Sequence, residues 1–394
     1  MRIALFSDTY PPQINGVATA TYTLANVLKN KGHDVLVVTI NEDGIKHLTY
    51  ENGILRIPGI TAKKLYDYKF ANIYSLKASL IIKEFRPQVI HVQTEVGIGI
   101  FGRLIAKKFK IPLIYTYHTM YEDYTYYVTK GFKPFDRFAK KFVAVVSALI
   151  SDSTTQFTTT SEKTKDKLIS YGVKRYINVI PNGIDFSAFS KDKIDINHLE
   201  ELRKKYNLQG KKIFLVLGRL AKEKSVDVIL TYFKKYVTNN PNNNLHLLIV
   251  GDGPNKVDLE ELTKKYDLND LVTFVGGIPH TEVAYFYYLS DLYLSASISE
   301  TQGLTYNEAM ACKLLVFARY DLNLEGTIID SKTGFFFNDC DSFEDKLEKI
   351  LNLDNSEREK IVSAAYKLNV EKYSLDLYYE RMYDVYNKAI RKFW

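Results

Sequence analysis

The sequence predicts an α/β protein built from two doubly wound parallel sheets, one in each half of the chain. Short β-branched apolar runs alternate with amphipathic stretches almost from end to end, and such runs are typical of strands that are buried on both faces. The chain of 394 residues is also longer than one compact core usually supports, so two domains are expected.

The first half alternates predicted strands with helices. The strands are Ile3–Phe6, Val35–Thr39, Val89–Val92, Leu113–Thr116, Phe157–Thr159 and Asn178–Ile180. The amphipathic stretches between them include Val17–Lys29, Ile73–Phe85 and Ile98–Phe109. Because helical stretches separate the strands, the connections suit parallel pairing.

The second half repeats this rhythm. Its predicted strands are Ile213–Leu217, Leu245–Val250, Val272–Val275, Leu292–Leu294 and Leu314–Phe317. A polar stretch between about Phe186 and Leu202 separates the halves and predicts domains over residues 1–190 and 197–373. Apolar residues between Leu375 and Phe393 recur at helical spacing. A final helix over 374–394 is therefore expected, and we expect it to pack back on the first domain.

Composition excludes several classes of protein. Apolar residues make up 46% of the chain and charged residues 25%, as in ordinary soluble domains. The two cysteines, Cys312 and Cys340, form neither a metal-ligand spacing nor a disulfide framework, which favours a reducing cytoplasmic setting. The amino terminus does not resemble a signal peptide, and no apolar run reaches the roughly 18 residues of a membrane span.

The positive charge is concentrated in the first half. Residues 1–190 carry 25 Lys and Arg against 15 Asp and Glu, whereas residues 191–394 carry 28 against 31. This asymmetry predicts an anionic partner for the first domain, which could be a membrane surface, a nucleic acid or a phosphorylated ligand.

Ligands of open α/β sheets bind beyond the carboxyl ends of the strands, so the loops there are the candidate sites. The loop after the first strand ends in Asn15-Gly16, directly before a helix whose free N–H groups suit an anion. A plain strand–helix turn would look the same. The loop lacks the G-x-G-x-x-G fingerprint, which disfavours a nicotinamide or flavin cofactor.

Basic side chains follow the first strand of the second domain. Arg219 and Lys224 lie five residues apart, after Gly218, in a loop that enters a helix. A guanidinium and an ammonium at this spacing suit a diphosphate, although solvated loops are often basic without binding anything.

The most specific signal is a pair of glutamates, Glu300 and Glu308, eight residues apart around a predicted helix start at Gly303. The pair could grip the hydroxyls of a sugar at one depth and of a ribose at another. The N–H groups from Gln302 to Leu304 would then face phosphates between them. Helix capping is the simpler explanation of two such carboxylates, but the Gly-Leu step between them favours a binding role.

These features together resemble the retaining GT-B glycosyltransferases of family 4, and the resemblance extends from residue 1 to about residue 335. It is carried by Ser7–Gly16, Ile180–Asp185, Gly218-Arg219-Leu220 with Lys224, Val250–Pro254, and Glu300…Glu308 with Gly303-Leu304. Within that family, Tyr117–Tyr121 and Ser299–Leu304 are similar to the bacterial 1,2-diacylglycerol 3-glucosyltransferases.

The resemblance implies two Rossmann-like lobes with a donor site in the cleft between them. Glu308 would bind the ribose of a UDP-sugar and Glu300 the sugar hydroxyls, while Arg219 and Lys224 neutralise the diphosphate. His118 would lie against the reacting face of the sugar. The remaining implied donor contacts are Asn15, Gly16, Gly218, Thr301, Gln302, Gly303 and Leu304. We expect no obligatory metal, although Mg²⁺ could stimulate the reaction. One glutamate of the pair is committed to the ribose, so the two are not a glycosidase acid–base pair.

A predicted helix in the first domain carries phenylalanines along one face and cations along the opposite face. The residues of this helix that we expect at the membrane are Lys133, Phe135, Arg137, Phe138, Lys140 and Lys141. The pattern suits a helix at an anionic membrane surface, and equally a core-packed helix with a basic outer face. A second cluster, Lys63, Lys64, Tyr66 and Lys69, mixes cations with aromatic side chains. We expect peripheral binding to the inner face of the cell membrane, with a lipid as acceptor, and 1,2-diacylglycerol is the acceptor that the resemblance implies.

Three alternatives stay open at this point. The acceptor could be a cell-wall or capsule glycan precursor, or the protein could be a sugar-nucleotide epimerase, which would act without any acceptor. The basic half could also bind nucleic acid, but no recognisable nucleic-acid module is present.

Overall fold

The computed structural model describes the chain except residues 14, 43, 63–67, 72–73, 121–132, 242–243 and 394; side chains of 60–62, 68–71 and 133–136 also lie outside the described set. The chain forms two compact units. The amino-terminal unit comprises Met1–Gly183 with Leu375–Trp394, and the carboxyl-terminal unit comprises Ile184–Ser374.

The amino-terminal unit is built on an eight-stranded sheet in the order β10-β9-β8-β7-β1-β2-β4-β3. All neighbours are parallel except β3, which pairs antiparallel with β4 at one edge. The strands β5 and β6 form a separate antiparallel pair. The strands are β1 Arg2–Phe6, β2 Asp34–Ile40, β3 Thr49–Glu51, β4 Ile54–Ile57, β5 Gly59–Ala62, β6 Tyr68–Ala71, β7 Val89–Val92, β8 Leu113–Tyr117, β9 Gln156–Thr159 and β10 Ile177–Val179.

Helices follow the parallel strands and cover the sheet, as their amphipathic patterns require. They are α1 Gly16–Asn30, α2 Leu76–Phe85, α3 Gly97–Phe109, α4 Lys133–Asp152 and α5 Glu162–Ser170. A further helix, α13 Leu375–Phe393, packs on this unit although it follows the other unit in sequence. It is held by polar contacts as well as by its apolar face. Lys31 Nζ lies 2.7 Å from Asp376 Oδ1, and the buried His91 Nδ1 lies 2.9 Å from Tyr386 Oη.

The carboxyl-terminal unit has a six-stranded, all-parallel sheet in the order β13-β12-β11-β14-β15-β16. The strands are β11 Lys212–Leu217, β12 Leu245–Val250, β13 Val272–Gly276, β14 Leu292–Ser295, β15 Leu315–Arg319 and β16 Phe335–Phe337. The helices are α6 Ile196–Lys205, α7 Val226–Asn239, α8 Lys256–Lys265, α9 Val283–Leu289, α10 Leu304–Ala311, α11 Cys340–Leu351 and α12 Asn355–Tyr373. Helices α11 and α12 each begin with a capping box, which satisfies two of the free N–H groups at the helix start.

The division between the units falls at Gly183 and Ile184, before the polar stretch that begins near Phe186. The reason is local packing, because Ile184 and Phe189 are buried in the core of the carboxyl-terminal unit. The first apolar side chains of that stretch therefore belong to the second unit.

Parallel pairing fixes where chemistry can occur in each unit. The carboxyl ends of β1, β7 and β8 meet at one edge of the first sheet and lead to Asp8, Gln93 and His118. In the second unit, β11 and β14 are neighbours, so the loops that carry Lys224 and Glu300 start side by side.

Candidate functional site

Two glycine loops join into one platform at the carboxyl ends of β11 and β12. Gly251 adopts φ 141°, and a Cβ there would lie 1.8 Å from the carbonyl oxygen of Gly218. Only glycine permits this approach. The Leu220 N–H donates to the Asp252 carbonyl at 2.9 Å, which ties the loops together. Arg219 is exposed on this platform, where its guanidinium can reach an anionic ligand.

Lys224 and Glu300 form an ion pair in the carboxyl-terminal unit. The Lys224 Nζ lies 2.6 Å from Glu300 Oε1. Lys224 ends a short 3₁₀ turn after β11, and Glu300 follows β14. The Ser299 hydroxyl donates to the Glu223 carbonyl at 3.3 Å, so a second hydrogen bond also joins the two loops. The structure therefore brings together two residues that the sequence assigned to the donor.

The start of α10 depends on Gly303. This residue caps the helix with φ 77°, and a Cβ there would lie 2.6 Å from the ring of Tyr306. Gln302 is buried, and Thr301 and Leu304 are partly buried. The first N–H groups of a helix have no partner within it, so a phosphate contact at this turn stays a prediction.

Glu308 is buried one turn inside α10 and has two partners on different elements. The hydroxyl of Tyr287, on α9, lies 2.9 Å from Glu308 Oε2. His280 Nε2 lies 3.7 Å from Glu308 Oε1. The contact with Glu308 raises the pKa of His280 above its ordinary value, and burial raises the pKa of Tyr287 well above its ordinary value. Neither partner was predicted from the sequence, because no spacing links them to Glu308.

In the amino-terminal unit, Asn15 and Gly16 begin α1. The Asn15 Oδ1 accepts the Ala18 N–H at 2.9 Å and so caps the helix. A Cβ at Gly16 would meet nothing within 4 Å, so space for a ligand remains beside the helix start.

Asp8 belongs to the same loop, but its carboxylate was not selected from the sequence. Its Oδ1 accepts the Ile98 N–H at 2.8 Å, and burial raises its pKa to about 6. Its Oδ2 has no hydrogen-bond partner within the described chain. A buried carboxyl with a raised pKa is a common feature of functional sites, and the only sequence signal was its position after β1.

His118 follows β8 and contacts a second residue that sequence reasoning missed. Its Nε2 lies 2.6 Å from Oε1 of the buried Gln93. Burial lowers the pKa of His118 to about 4, so the ring is neutral near neutral pH. With Gln93 as acceptor, the ring proton is on Nε2 and Nδ1 is left as an acceptor.

Four large apolar side chains in the described part of α4 face outward. Phe138, Phe142, Val145 and Leu149 are between 51% and 67% exposed. The buried side of the helix carries small residues, among them Ser147 and Ser151. Packing of the phenylalanine stripe in the core, one of two readings of the sequence, is therefore wrong for these four side chains.

The cations predicted beside this stripe can be placed only in part. Arg137 and Lys141 are exposed and Lys140 is partly exposed. The side chains of Lys133, Phe135 and Lys69 lie outside the described set, as do Lys63, Lys64 and Tyr66 entirely. Over the described part of the chain, no helix is long and apolar enough to cross a membrane. In the same part, no group of three or more His, Cys, Asp or Glu is placed to hold a metal ion.

Comparison with known proteins agrees with this arrangement. Residues 14–188 match the family Glycosyltransferase Family 4, and residues 199–368 match Glycosyl transferases group 1. A protein of Streptococcus pneumoniae named alpha-monoglucosyldiacylglycerol synthase is 34% identical over 99% of this chain and 86% of its own length. A protein of the same name from Acholeplasma laidlawii is 33% identical over 86% of this chain and 85% of its own length.

Solved structures share the fold at lower identity. Anabaena HepE in complex with UDP-glucose superposes with a TM-score of 0.74 at 15% identity, over 98% of this chain and 99% of that one. Sucrose-phosphate synthase from Thermosynechococcus elongatus gives 0.75 at 19% identity, over 98% of both chains. The chain therefore belongs to the glycosyltransferases of the GT-B fold and is a hexosyltransferase, with a family 4 amino-terminal half and a group 1 carboxyl-terminal half.

Proposed function

We propose that the protein transfers glucose from UDP-glucose to 1,2-diacylglycerol, with retention of configuration, at the inner surface of the cell membrane. The observation that carries this proposal is the match, over 99% of the chain, to a protein named alpha-monoglucosyldiacylglycerol synthase. The product would be an α-glucosyl diacylglycerol.

The carboxyl-terminal unit supports the donor part of the proposal. Glu300 and Glu308 are both mostly buried, and each contacts a cation or a donor group from another element. A buried carboxylate can accept hydrogen bonds from vicinal hydroxyls, which suits Glu308 for a ribose and Glu300 for a hexose. Arg219 and Lys224 would stabilise the charge that develops on the departing diphosphate.

The amino-terminal unit would contribute His118 and the loop at Asn15 and Gly16. In this proposal the neutral His118 contacts the donor sugar and can accept a hydrogen bond through Nδ1. The role rests on the family resemblance and on the position of His118 after β8.

The surface of α4 supports a lipid acceptor. Four large apolar side chains are exposed on a helix that also exposes Arg137 and Lys141. Residues 1–190 carry ten more cations than anions. Apolar insertion together with attraction to anionic lipids is how amphipathic helices bind membranes, and diacylglycerol lies within the bilayer.

The reaction is tested with purified protein, radiolabelled UDP-glucose and anionic vesicles that contain or lack diacylglycerol. We expect labelled glycolipid only with diacylglycerol, and an anomeric proton coupling typical of an α-linkage. Transfer only to a glycan precursor, conversion of the sugar nucleotide without acceptor, or a β-linked product would each contradict the proposal.

Membrane binding is tested separately by sedimentation with vesicles. Changing Phe138, Phe142 and Leu149 to Ser should reduce binding to anionic vesicles while UDP-glucose binding persists. The matched control changes Ile196 and Val257, two exposed apolar residues of the carboxyl-terminal unit, to Ser. Equal binding by both variants would show that α4 is not the docking surface.

A further inference from the structure

The two oxygens of the Glu308 carboxylate are contacted by groups of different character. Oε2 faces the Tyr287 hydroxyl at 2.9 Å, and Oε1 faces His280 Nε2 at 3.7 Å. The Glu308 side chain is 8% exposed, whereas the His280 side chain is 46% exposed. The imidazole therefore covers the buried carboxylate on its more accessible side.

Tyr287 is fixed in the core of the carboxyl-terminal unit. Its ring packs against those of Tyr293 and Phe189, with centroids 6.0 and 6.2 Å away. Its hydroxyl also lies 3.1 Å from the Thr305 carbonyl oxygen. A buried phenol with this packing has little freedom, so it can hold the Glu308 carboxylate in one orientation.

His280 is less constrained. It begins a short 3₁₀ turn after β13, and its ring meets the edge of Phe189 with a centroid separation of 6.5 Å. The other end of the turn is held independently, because Glu282 Oε2 lies 2.8 Å from His198 Nε2. The His280 ring can thus leave Glu308 without loss of the contact that anchors the turn.

Among the residues that the structure describes, few titratable groups face His280 and Glu308. Glu308 on α10 lies beside His280, Tyr287 on α9 contacts Glu308, and Tyr293 and Cys312 lie near Glu308. Burial raises the pKa of both Tyr287 and Cys312 well above neutrality, so both stay uncharged. On the turn itself, Glu282 is engaged with His198. The charge next to the Glu308 carboxylate therefore changes when His280 gains or loses a proton.

We propose that Tyr287 is a positioning residue that fixes Glu308 for the donor ribose, and that His280 is a displaceable cap on the same carboxylate. A vicinal diol that binds Glu308 must take the place of the imidazole at Oε1. This inference rests on the proposed donor function, because it needs a ribose at Glu308.

Displacement links donor binding to pH. Glu308 raises the pKa of His280 above its ordinary value of 6.5, and the imidazolium holds Glu308 more strongly than the neutral ring does. Donor affinity should therefore rise with pH up to the pKa of His280. If cap and ribose exclude each other fully, the dissociation constant increases about tenfold for each pH unit below that pKa.

The test is calorimetric titration of the full-length protein with UDP-glucose at several pH values from about 5.5 to about 8.5, the range in which a histidine titrates. The diphosphate diester of UDP-glucose keeps its charge over this range, so the ligand itself adds no pH dependence. We expect His280→Gln to flatten the pH dependence and to bind more tightly than the parent at low pH. The matched control is His198→Gln, which removes another ion-paired histidine of raised pKa from the same unit, while the Gln amide can still donate to Glu282 and hold the turn. This control should keep the pH dependence of the parent.

The positioning role of Tyr287 is tested by steady-state kinetics of glucose transfer over the same pH range. Tyr287→Phe removes only the hydroxyl, so it should raise KM for the donor roughly tenfold, at every pH, while kcat at saturating donor is retained. A fall in kcat with unchanged KM would contradict positioning of a binding group.

Two outcomes separate this inference from the proposed function. If donor affinity of the His280→Gln variant depends on pH as in the parent, or is weakened equally at every pH, His280 is not a displaceable cap. The proposed donor site would not be affected by that result. ADP-glucose and GDP-glucose carry the same ribose and are titrated in parallel. If the parent binds none of the three nucleotide sugars, the proposed donor function fails and this inference fails with it.

Discussion

Replacing Lys224 by Ala tests whether its ion pair with Glu300 serves the donor or only the fold. The Nζ–Oε1 distance is 2.6 Å, and the two side chains are 31% and 11% exposed. A hydrogen bond to a charged group contributes about 1.5–3 kcal/mol. Because the lysine is about one third exposed, solvent screening lowers the expected loss in unfolding free energy to about 1–2 kcal/mol.

The effect on catalysis should be larger. If Lys224 stabilises the departing diphosphate, Lys224→Ala should lower kcat on the order of 100-fold, or about 2.7 kcal/mol. Release of UDP at saturating donor and acceptor measures the turnover, and urea unfolding measures the stability.

A matched lysine in the same unit provides the control. Lys346 Nζ lies 2.6 Å from Asp330 Oδ2, and the lysine is 29% exposed. Because Asp330 is itself 42% exposed, Lys346→Ala should cost only about 0.2–1 kcal/mol in stability. It should leave turnover unchanged, since Lys346 lies on α11 and pairs with Asp330, neither of which belongs to the β11 and β14 loops.

The double variant Lys224→Ala/Glu300→Gln separates the two roles. It removes the unpaired carboxylate that Lys224→Ala leaves behind, so stability should recover in part. Turnover should not recover, because both donor contacts are lost. A double variant with restored turnover, or a Lys346→Ala variant as impaired as Lys224→Ala, would refute a donor role for Lys224.

Three further predictions concern the remaining site residues. Glu308→Ala should weaken UDP binding by about 1.5–3 kcal/mol, and unchanged calorimetric affinity would exclude a ribose contact. Glucose transfer should persist in excess chelator. If the chelator abolishes transfer and a divalent cation restores it, a metal ion would be the group that neutralises the diphosphate. Gln93→Glu places a carboxylate beside His118 Nε2 and should raise the pKa of His118 from about 4 towards neutrality. At saturating donor, the turnover of this variant should then fall as the pH is lowered below neutrality, while the turnover of the parent does not change. Parallel pH profiles of the two proteins would contradict the contact between Gln93 and His118.

The central strands could be read from the sequence because parallel strands buried on both faces leave continuous apolar runs. Each strand expected from such a run overlaps a strand of the structure. The strands that sequence reasoning missed are short or lie at an edge. Thr49–Glu51 is polar, and Phe335–Phe337 is apolar but only three residues long. Neither provides enough residues to show a period.

The residues proposed for the donor were identified individually from the sequence, but their contacts with one another were not. Lys224 and Glu300 are 76 positions apart and meet because β11 and β14 are neighbours in the sheet. Strand order is a property of the whole fold, so no local pattern predicts it. The same holds for Tyr287 and His280, which reach Glu308 from two elements whose sequences carry no motif.

Helix α4 shows what periodicity cannot decide. A stripe of large apolar residues at helical spacing has the same pattern whether it faces the core or the solvent. The opposite face is more informative, because Ser147 and Ser151 are small enough to pack closely and are buried. Burying one Phe or Leu fully is worth about 1.5–3 kcal/mol, so leaving Phe138, Phe142 and Leu149 exposed forgoes several such contributions. A surface that binds lipid recovers them, which is why the outward stripe favours a membrane-bound acceptor over a soluble one.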